Sequence, residues 1–460
     1  MISLNANLEI AKRAMQTHQL AMSVLGTNIA NVNTPGYSRR RAAIRECREV
    51  DTGTGFVGAG AEVVDIRRVR DSLLDSLYRR HQSRVGEWSG VEDYLGKVET
   101  LMNEPGAGGL SETMGEFWAA WEDLANEPES QAVRSQLRLR AEALCETFHR
   151  LESHLRGLQA NISGEVASLV DNVNRLGERL AEVNRMVQEG EVGGHEASGL
   201  RDERDRLLDE LSDIANVEVE EATDGSLVIM LGSQVLVQGG TSRGIEYATD
   251  PGGRSSSCRF VWEGTDHEVQ VESGLLRGYL RVRDEHIEGY IANLDQLAAT
   301  IVSQVNAAHS AGYGLDGSTG LDFFDPDRVT AADIGVDAAI QSSLDAIAAS
   351  AGSLQGDGQN ALAVAGLRSV MTMAGASTTF DGYYGSLVGQ IGIDSRESSS
   401  FREAEEVLVL DIESQRMATS GVSLDEEMAY LISYQHAYEA MVRVTQIVDE
   451  MMATLIGAMG

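Results

Sequence analysis

In the first thirty-two residues the less polar positions fall at Leu4, Leu8, Ala11, Met15, His18, Met22, Leu25, Ile29 and Val32, a strict alternation of four and three. That period lays one stripe along a helix, and His18 is its only break. A single helix of this kind is marginal in water, because nothing local covers the stripe. The far end repeats the pattern. Leu424, Met428, Leu431, Gln435, Tyr438, Val442, Thr445, Val448, Met452, Leu455 and Met459 again fall on one side, and Ser423 with Glu426 three residues on reads as a capping box. Two stripes that cannot bury themselves locally are expected to pair with each other and then with neighbouring copies. Head-to-tail contacts of that kind build rings or helical tubes. In a free single molecule both ends are expected to be mobile.

The first helix has a marked stop. Asn28, Asn31 and Asn33 tolerate left-handed conformations near a helix end, and Thr34 is pushed extended by the proline that follows. Pro35-Gly36 suits the two central positions of a type II turn, and Tyr37 supplies a large anchor. The whole string from Asn28 through Tyr37 to Ser38-Arg39 resembles the N-terminal signature of the bacterial flagellar rod, hook and hook-associated axial proteins. Residues 420–428, Ser-Gly-Val-Ser-Leu-Asp-Glu-Glu-Met, and 434–440, Tyr-Gln-His-Ala-Tyr-Glu-Ala, resemble the C-terminal signature of the same family.

At 460 residues the chain has room for two or three domains. Its formal net charge of -34 argues against nucleic-acid and anionic-membrane partners, which reward basic surfaces. The ends differ in sign: residues 1–45 hold six basic groups against one acidic, whereas residues 401–460 hold three against eleven. Cys47, Cys145 and Cys258 show no spacing suited to zinc or redox chemistry. Neither a cleavable signal segment nor a membrane span is expected, since no run approaches 18 apolar residues. Gly53-Thr54-Gly55-Phe56-Val57-Gly58 matches the GxGxxG pattern of dinucleotide sites, but a strand-like stretch, not a helix, follows it, so a turn between short strands is expected. No HExxH, P-loop or GxSxG occurs, and His149 and His154 stand five apart, off a common helix face. We therefore expect no catalytic, metal or cofactor-binding residues and no enzyme.

The chain between the ends reads as mainly α with an inserted β-rich domain. Residues 71–214 are helical with a break after Pro105 and Gly106. Phe117, Trp118, Trp121 and Leu124 are core fillers, and Leu137 through Val187 forms one long helix or two. No proline occurs between Pro128 and Pro251, as uninterrupted helices require. The charged run from Gly199 to Leu211 reads as a solvated helix face. From Val217 to about Val282 the period drops to near two, with Asp224-Gly225 as a hairpin turn. Helices resume near Asp284, a Gly- and Asp-rich loop covers 311–328, and the last long helix starts near Phe401 and pauses at Ser420-Gly421. The domain assignment is 1–40 plus 415–460 as a discontinuous terminal coiled coil, 41–216 plus 284–414 as a long-helix bundle with short β elements, and 217–283 as the small β domain.

Residues 199–211, Gly-Leu-Arg-Asp-Glu-Arg-Asp-Arg-Leu-Leu-Asp-Glu-Leu, and residues 356–362 resemble internal stretches of the family branch at the junction between hook and filament, with Gly358 and Gln359 departing from that pattern. The resemblance implies a structural subunit, exported through the flagellar channel without a cleavable signal and secreted to the extracellular hook–filament junction. It implies a homo-oligomeric layer that contacts hook protein and the second hook–filament junction protein, and a cytoplasmic chaperone on the C-terminal helix before export. The expected N-terminal assembly residues are Leu4, Leu8, Ala11, Met15, Met22, Leu25 and Ile29. Leu424, Met428, Leu431, Tyr438, Val442, Met452 and Leu455 are the C-terminal assembly and chaperone-binding set. The alternatives are another axial protein of the hook, the rod or the second junction layer, and a generic coiled-coil adaptor.

Overall fold

The structure, a computed structural model, describes residues 4–51, 55–102, 106, 108–249, 258–352 and 354–459. Gly53 and Thr54 of the Gly-rich motif, the Pro105 break and Pro251 lie outside the described residues. The chain is mainly α with an inserted β region, as its periodicities predict.

Helix α1 (Leu4–Ala30) leads into a hairpin arm. The arm is β1 (Arg40–Glu46) paired antiparallel with β4 (Ala61–Arg68), and the short pair β2 (Val50–Asp51) and β3 (Phe56–Val57) lies between them. Four helices follow: α2 (Ser72–Met102), α3 (Leu110–Asn126), α4 (Gln131–Glu191) and α5 (Ser198–Ile214). The 61 residues of α4 make one uninterrupted helix about 90 Å long at 1.5 Å per residue.

The inserted region is an antiparallel meander of β5 (Val217–Glu221), β6 (Leu227–Leu231), β7 (Gln234–Gln238) and β8 (Thr241–Ser242). A hairpin of β9 (Ile245–Thr249) and β10 (Cys258–Trp262) completes it. Gly225, with φ of 80°, sits in the turn between β5 and β6. The meander lies on α4, where buried Asn184 accepts from Leu227 N–H and donates to Leu227 C=O. Helices resume at α6 (Leu275–Arg281), nine residues before the expected Asp284, and a π-helical turn over Val282–Ile287 carries the chain into α7 (Glu288–Ser310).

Two short helices, α8 (Ala338–Ser342) and α9 (Gln359–Gly366), precede the long α10 (Phe380–Ser420) and α11 (Leu424–Met459). Helix α10 begins twenty-one residues before the expected Phe401. The glycines at 382, 385, 389 and 392 disguise it, but Phe380, Tyr384, Leu387 and Ile391 fall at helical spacing and are buried. Thr379 caps it, accepting from Gly382 N–H at 3.2 Å. Within the bundle Phe117, Trp118 and Trp121 are fully buried among Phe323, Phe324 and Phe380, as core fillers should be.

Candidate assembly interface

The two terminal helices pack against each other antiparallel. Asn28, near the end of α1, meets Glu427 in the first turn of α11, and the His18 and Tyr434 rings lie 5.7 Å apart farther along. The join at the top of this pair uses every polar atom of one side chain. Asn28 is fully buried; its Nδ2 donates to Glu427 Oε2 and to Arg40 C=O, both at 2.8 Å. Its Oδ1 accepts from the Tyr37 hydroxyl at 2.8 Å and from Arg40 N–H at 3.0 Å. Two donors and two acceptor sites are all that a primary amide offers.

Arg39 completes the latch. Its Nε donates to Glu427 Oε1 at 2.7 Å, its Nη1 pairs with Glu426 at 2.8 Å, and its backbone N–H donates to Ser420 C=O at 2.9 Å. Glu427 is wholly buried, and a buried carboxylate is tolerable only when paired and hydrogen-bonded. The Ser423–Glu426 pair therefore works differently from a capping box, because the Glu426 carboxylate turns to Arg39.

The turn that presents Tyr37 follows from local chemistry. Asn31 Nδ2 donates back to Thr27 C=O, Thr34 Oγ1 donates to Asn31 Oδ1, and Tyr37 N–H closes on Thr34 C=O at 3.2 Å. Gly36 has φ of 78°, the positive value that the third residue of a type II turn requires. Among the described residues Asn28, Asn31 and Asn33 do not have positive φ. The left-handed role expected of them is corrected: Asn28 and Asn31 act through their amides.

The buried face of α1 is Ala11, Thr17, Ala21, Val24, Leu25 and Asn28. Of the expected stripe, Ala11 and Leu25 are buried, while Leu4, Leu8, Met15, Met22 and Ile29 are half-buried. The hairpin arm covers the adjacent face and shifts the buried set: the Thr17 hydroxyl donates to Ala61 C=O at 2.8 Å, and Gly60 lies against Ile10. On α11 the side toward α1 carries Glu427, Leu431, Tyr434, Tyr438, Val448 and Met452, and Val442 is half-buried. Leu424, Met428 and Leu455 are exposed, because the spacing defines a stripe but not which part of it α1 covers. Asn33, Thr34, Pro35 and Gly36 are exposed and Tyr37 is half-buried. Thr17, Ala21, Val24 and Asn28 themselves repeat at four, three and four, a second stripe that spacing alone could have exposed.

A second cluster, which the sequence reading missed, ties this pair to the bundle. The charged run on α5 is not a solvated face: Asp202, Arg204 and Asp205 are buried. Arg68 donates to Asp202 and Asp205, Arg70 pairs with Asp75, and Arg79 reaches Asp205 and Asp209. Arg416 of α10 closes the network on Asp75 and Asp209, both at 2.9 Å. Burial pushes the Asp205 carboxyl up, but the guanidinium groups of Arg70, Arg68 and Arg79 outweigh it and hold it at about 2. Arg204 has the opposite surroundings. Burial lowers it to about 10, and its Nη1 donates to Asn184 Oδ1 and Gly225 C=O.

Residues 356–362 cap α9 and lock its start against α3. Asp357 accepts from Gln359 N–H and Ala351 N–H, and Asn360 donates to Ala348 C=O. Gly358 passes so close to Ala125 that a Cβ there would stand 2.1 Å from its carbonyl oxygen.

Three family models match the chain. "Flagellar hook-associated protein FlgK helical domain" covers residues 95–324, half of the chain; "Flagella basal body rod protein" covers 8–37; "Flagellar basal body rod FlgEFG protein C-terminal" covers 413–458. The chain is 29% identical to flagellar hook-associated protein 1 of Bacillus subtilis, across all of this chain and 99% of that one. To the protein of the same name from Salmonella typhimurium it is 26% identical, over 68% of this chain and 58% of the relative. In fold it is similar to the flagellar hook junction protein FlgK of Burkholderia pseudomallei, with a TM-score of 0.67 and 14% identity, over 76% of this chain and all of that one.

Proposed function

The chain belongs to the FlgK family of flagellar hook-associated proteins, and we propose that it is a structural subunit of the bacterial flagellum at the junction between hook and filament. One observation carries the reading. Asn28 of a rod-type N-terminal segment, with Arg39 two residues beyond that segment, is latched to Glu427 of a rod-type C-terminal segment, so the discontinuous ends form one antiparallel unit.

That unit is the part that joins other flagellar proteins. The half-buried and exposed apolar residues of α1 and α11 are the surface for sister copies in a ring or tubular layer, and for hook protein below and the second junction protein above. Leu424, Met428 and Leu455, exposed on α11, suit the export chaperone that shields this helix before secretion. The role is one of assembly and not of catalysis: its chemistry lies in paired charges and filled amides that join segments of the chain. Export through the flagellar channel delivers the protein to the extracellular junction.

The test is a deletion strain. Hooks without filaments, with flagellin leaking into the medium, are the expected outcome. An intact filament defeats the assignment, and a missing hook moves the protein to the hook or rod class.

A further inference from the structure

Helices α2 and α10 pack antiparallel along much of their length: Arg416 reaches Asp75, His81 meets Glu405 and Trp88 stacks on Phe401. Toward its end α10 carries two apolar faces. Val409 and Ile412 are buried, whereas Val407, Leu410 and Met417 are 65%, 64% and 63% exposed. The exposed set keeps the coiled-coil spacing toward the end of α10, running Val407, Leu410, Ser414 and Met417. A seam at that period fits another helix. Exposed Glu403, Asp411 and Glu413 flank it with negative charge.

A matching edge lies at the start of α2. Leu73, Leu77 and Arg80 fall at coiled-coil spacing, four then three; Leu73 is 65% exposed and Arg80 is exposed, while Arg84, four residues on, turns to Glu405 of α10 in the same chain at 3.3 Å. Neither Arg80 nor Glu403 has an ion-pair partner among the described residues. At about 100° per residue, the α2 edge stands roughly a quarter turn from the line to α10, and the α10 seam about a third of a turn from the line to α2. Because the helices run antiparallel, these offsets place the edges on opposite sides of the pair.

We propose that the Leu73–Arg80 edge of α2 in one copy docks on the Val407–Met417 seam of α10 in the next. The occupant is a second copy of this chain because the two edges are complementary: apolar with positive charge against apolar flanked by negative charge. In a chain of net charge -34, contact between copies needs such local complementarity to offset general repulsion. Opposed, unlike edges give each subunit two neighbours, the arrangement that closes a ring or winds a tube. The inference rests on the assembly role above and extends it beyond the terminal pair.

The test is cross-linking of the full chain carrying both Leu73→Cys and Leu410→Cys. A short bismaleimide applied to concentrated protein should give a ladder of dimers, trimers and larger species, with no ladder from either single variant. Adding Arg80→Glu should cut the ladder about tenfold, and adding Glu403→Arg to that chain should restore it. Absence of the ladder, or an equal ladder from a control pair with Leu139→Cys in place of Leu73→Cys, overturns the interface. The deletion strain reads the junction role separately: a ladder with filaments intact in that strain sinks the role and keeps the interface.

Discussion

The Asn28 amide donates to the Glu427 carboxylate at 2.8 Å across 399 positions of chain, so each terminal signature supplies half of one buried hydrogen-bonded unit. Asn28→Ala removes four hydrogen bonds and leaves Glu427 buried with Arg39 alone. The expected cost is about 2–4 kcal/mol in the docking of α11 on α1, since stranded buried polar groups lose about 1–3 kcal/mol each. It should appear as faster amide exchange at Leu25 and Leu431, with exchange in the Trp118 core unchanged. Asn28→Asp should be worse at neutral pH, because it sets two carboxylates together, and should recover on acidification as one takes a proton.

Asp205 joins β4, α2 and α5 through three arginines. Its folded carboxyl lies at about 2, below the usual 3.8, so its contribution to stability is complete above pH 3.8 and is lost as pH falls toward 2. At about 1.4 kcal/mol per pH unit that contribution is about 2.5 kcal/mol. Asp205→Asn removes a buried charge from among Arg68, Arg70 and Arg79, and a cost of about 3–5 kcal/mol is expected in urea unfolding at pH 7. An unchanged midpoint would mean that Asp202, Asp209 and Asp75 suffice to compensate the arginines.

How far the fold could be read from sequence depended on the range of the cause. The terminal periods, the Thr34–Tyr37 turn and the long α4 are local and were legible. The burial of Asp202 and Asp205 was not: alternating charge looks the same whether it faces water or the Arg68, Arg70, Arg79 and Arg416 side chains brought from β4, the link to α2, α2 and α10. Glu427 illustrates the same limit. In sequence it is one more acid in a helix's first turn, and only its meeting with Asn28 and Arg39 makes it the centre of the latch. The exposed positions of Leu424 and Met428 were hidden for another reason, because spacing defines a stripe but not which neighbour covers it.

Gly358 departs from the family-like pattern in a segment where departure is costly to reverse. A Cβ at this position would stand 2.1 Å from the Ala125 carbonyl oxygen and 2.8 Å from its carbon. Both are backbone atoms, so relief requires α9 to move off α3. Gly358→Ala should therefore destabilise the bundle by about 1–3 kcal/mol, the usual range for overpacking, and lower the thermal midpoint. Gly366→Ala, at a position with nothing within 4 Å of a new Cβ, is the control and should change little.

His309 is fully buried beside Trp121 and Phe323, and its two ring nitrogens have opposite duties. Nδ1 donates to Leu321 C=O at 2.7 Å, while Nε2 accepts from Ala348 N–H at 2.8 Å, an arrangement that only the neutral ring satisfies. Burial lowers its pKa from 6.5 to about 4. In the window between those values the unfolded chain binds the proton and the folded chain does not. Stability from this group is thus complete above pH 6.5 and falls away as pH drops to 4, by about 3 kcal/mol at 1.36 kcal/mol per unit. His309→Gln keeps a donor and an acceptor but cannot titrate. The wild type's stability advantage over His309→Gln, measured by urea unfolding at pH 8, 6 and 4, should shrink by about that amount, and an advantage constant across the series would place the proton elsewhere.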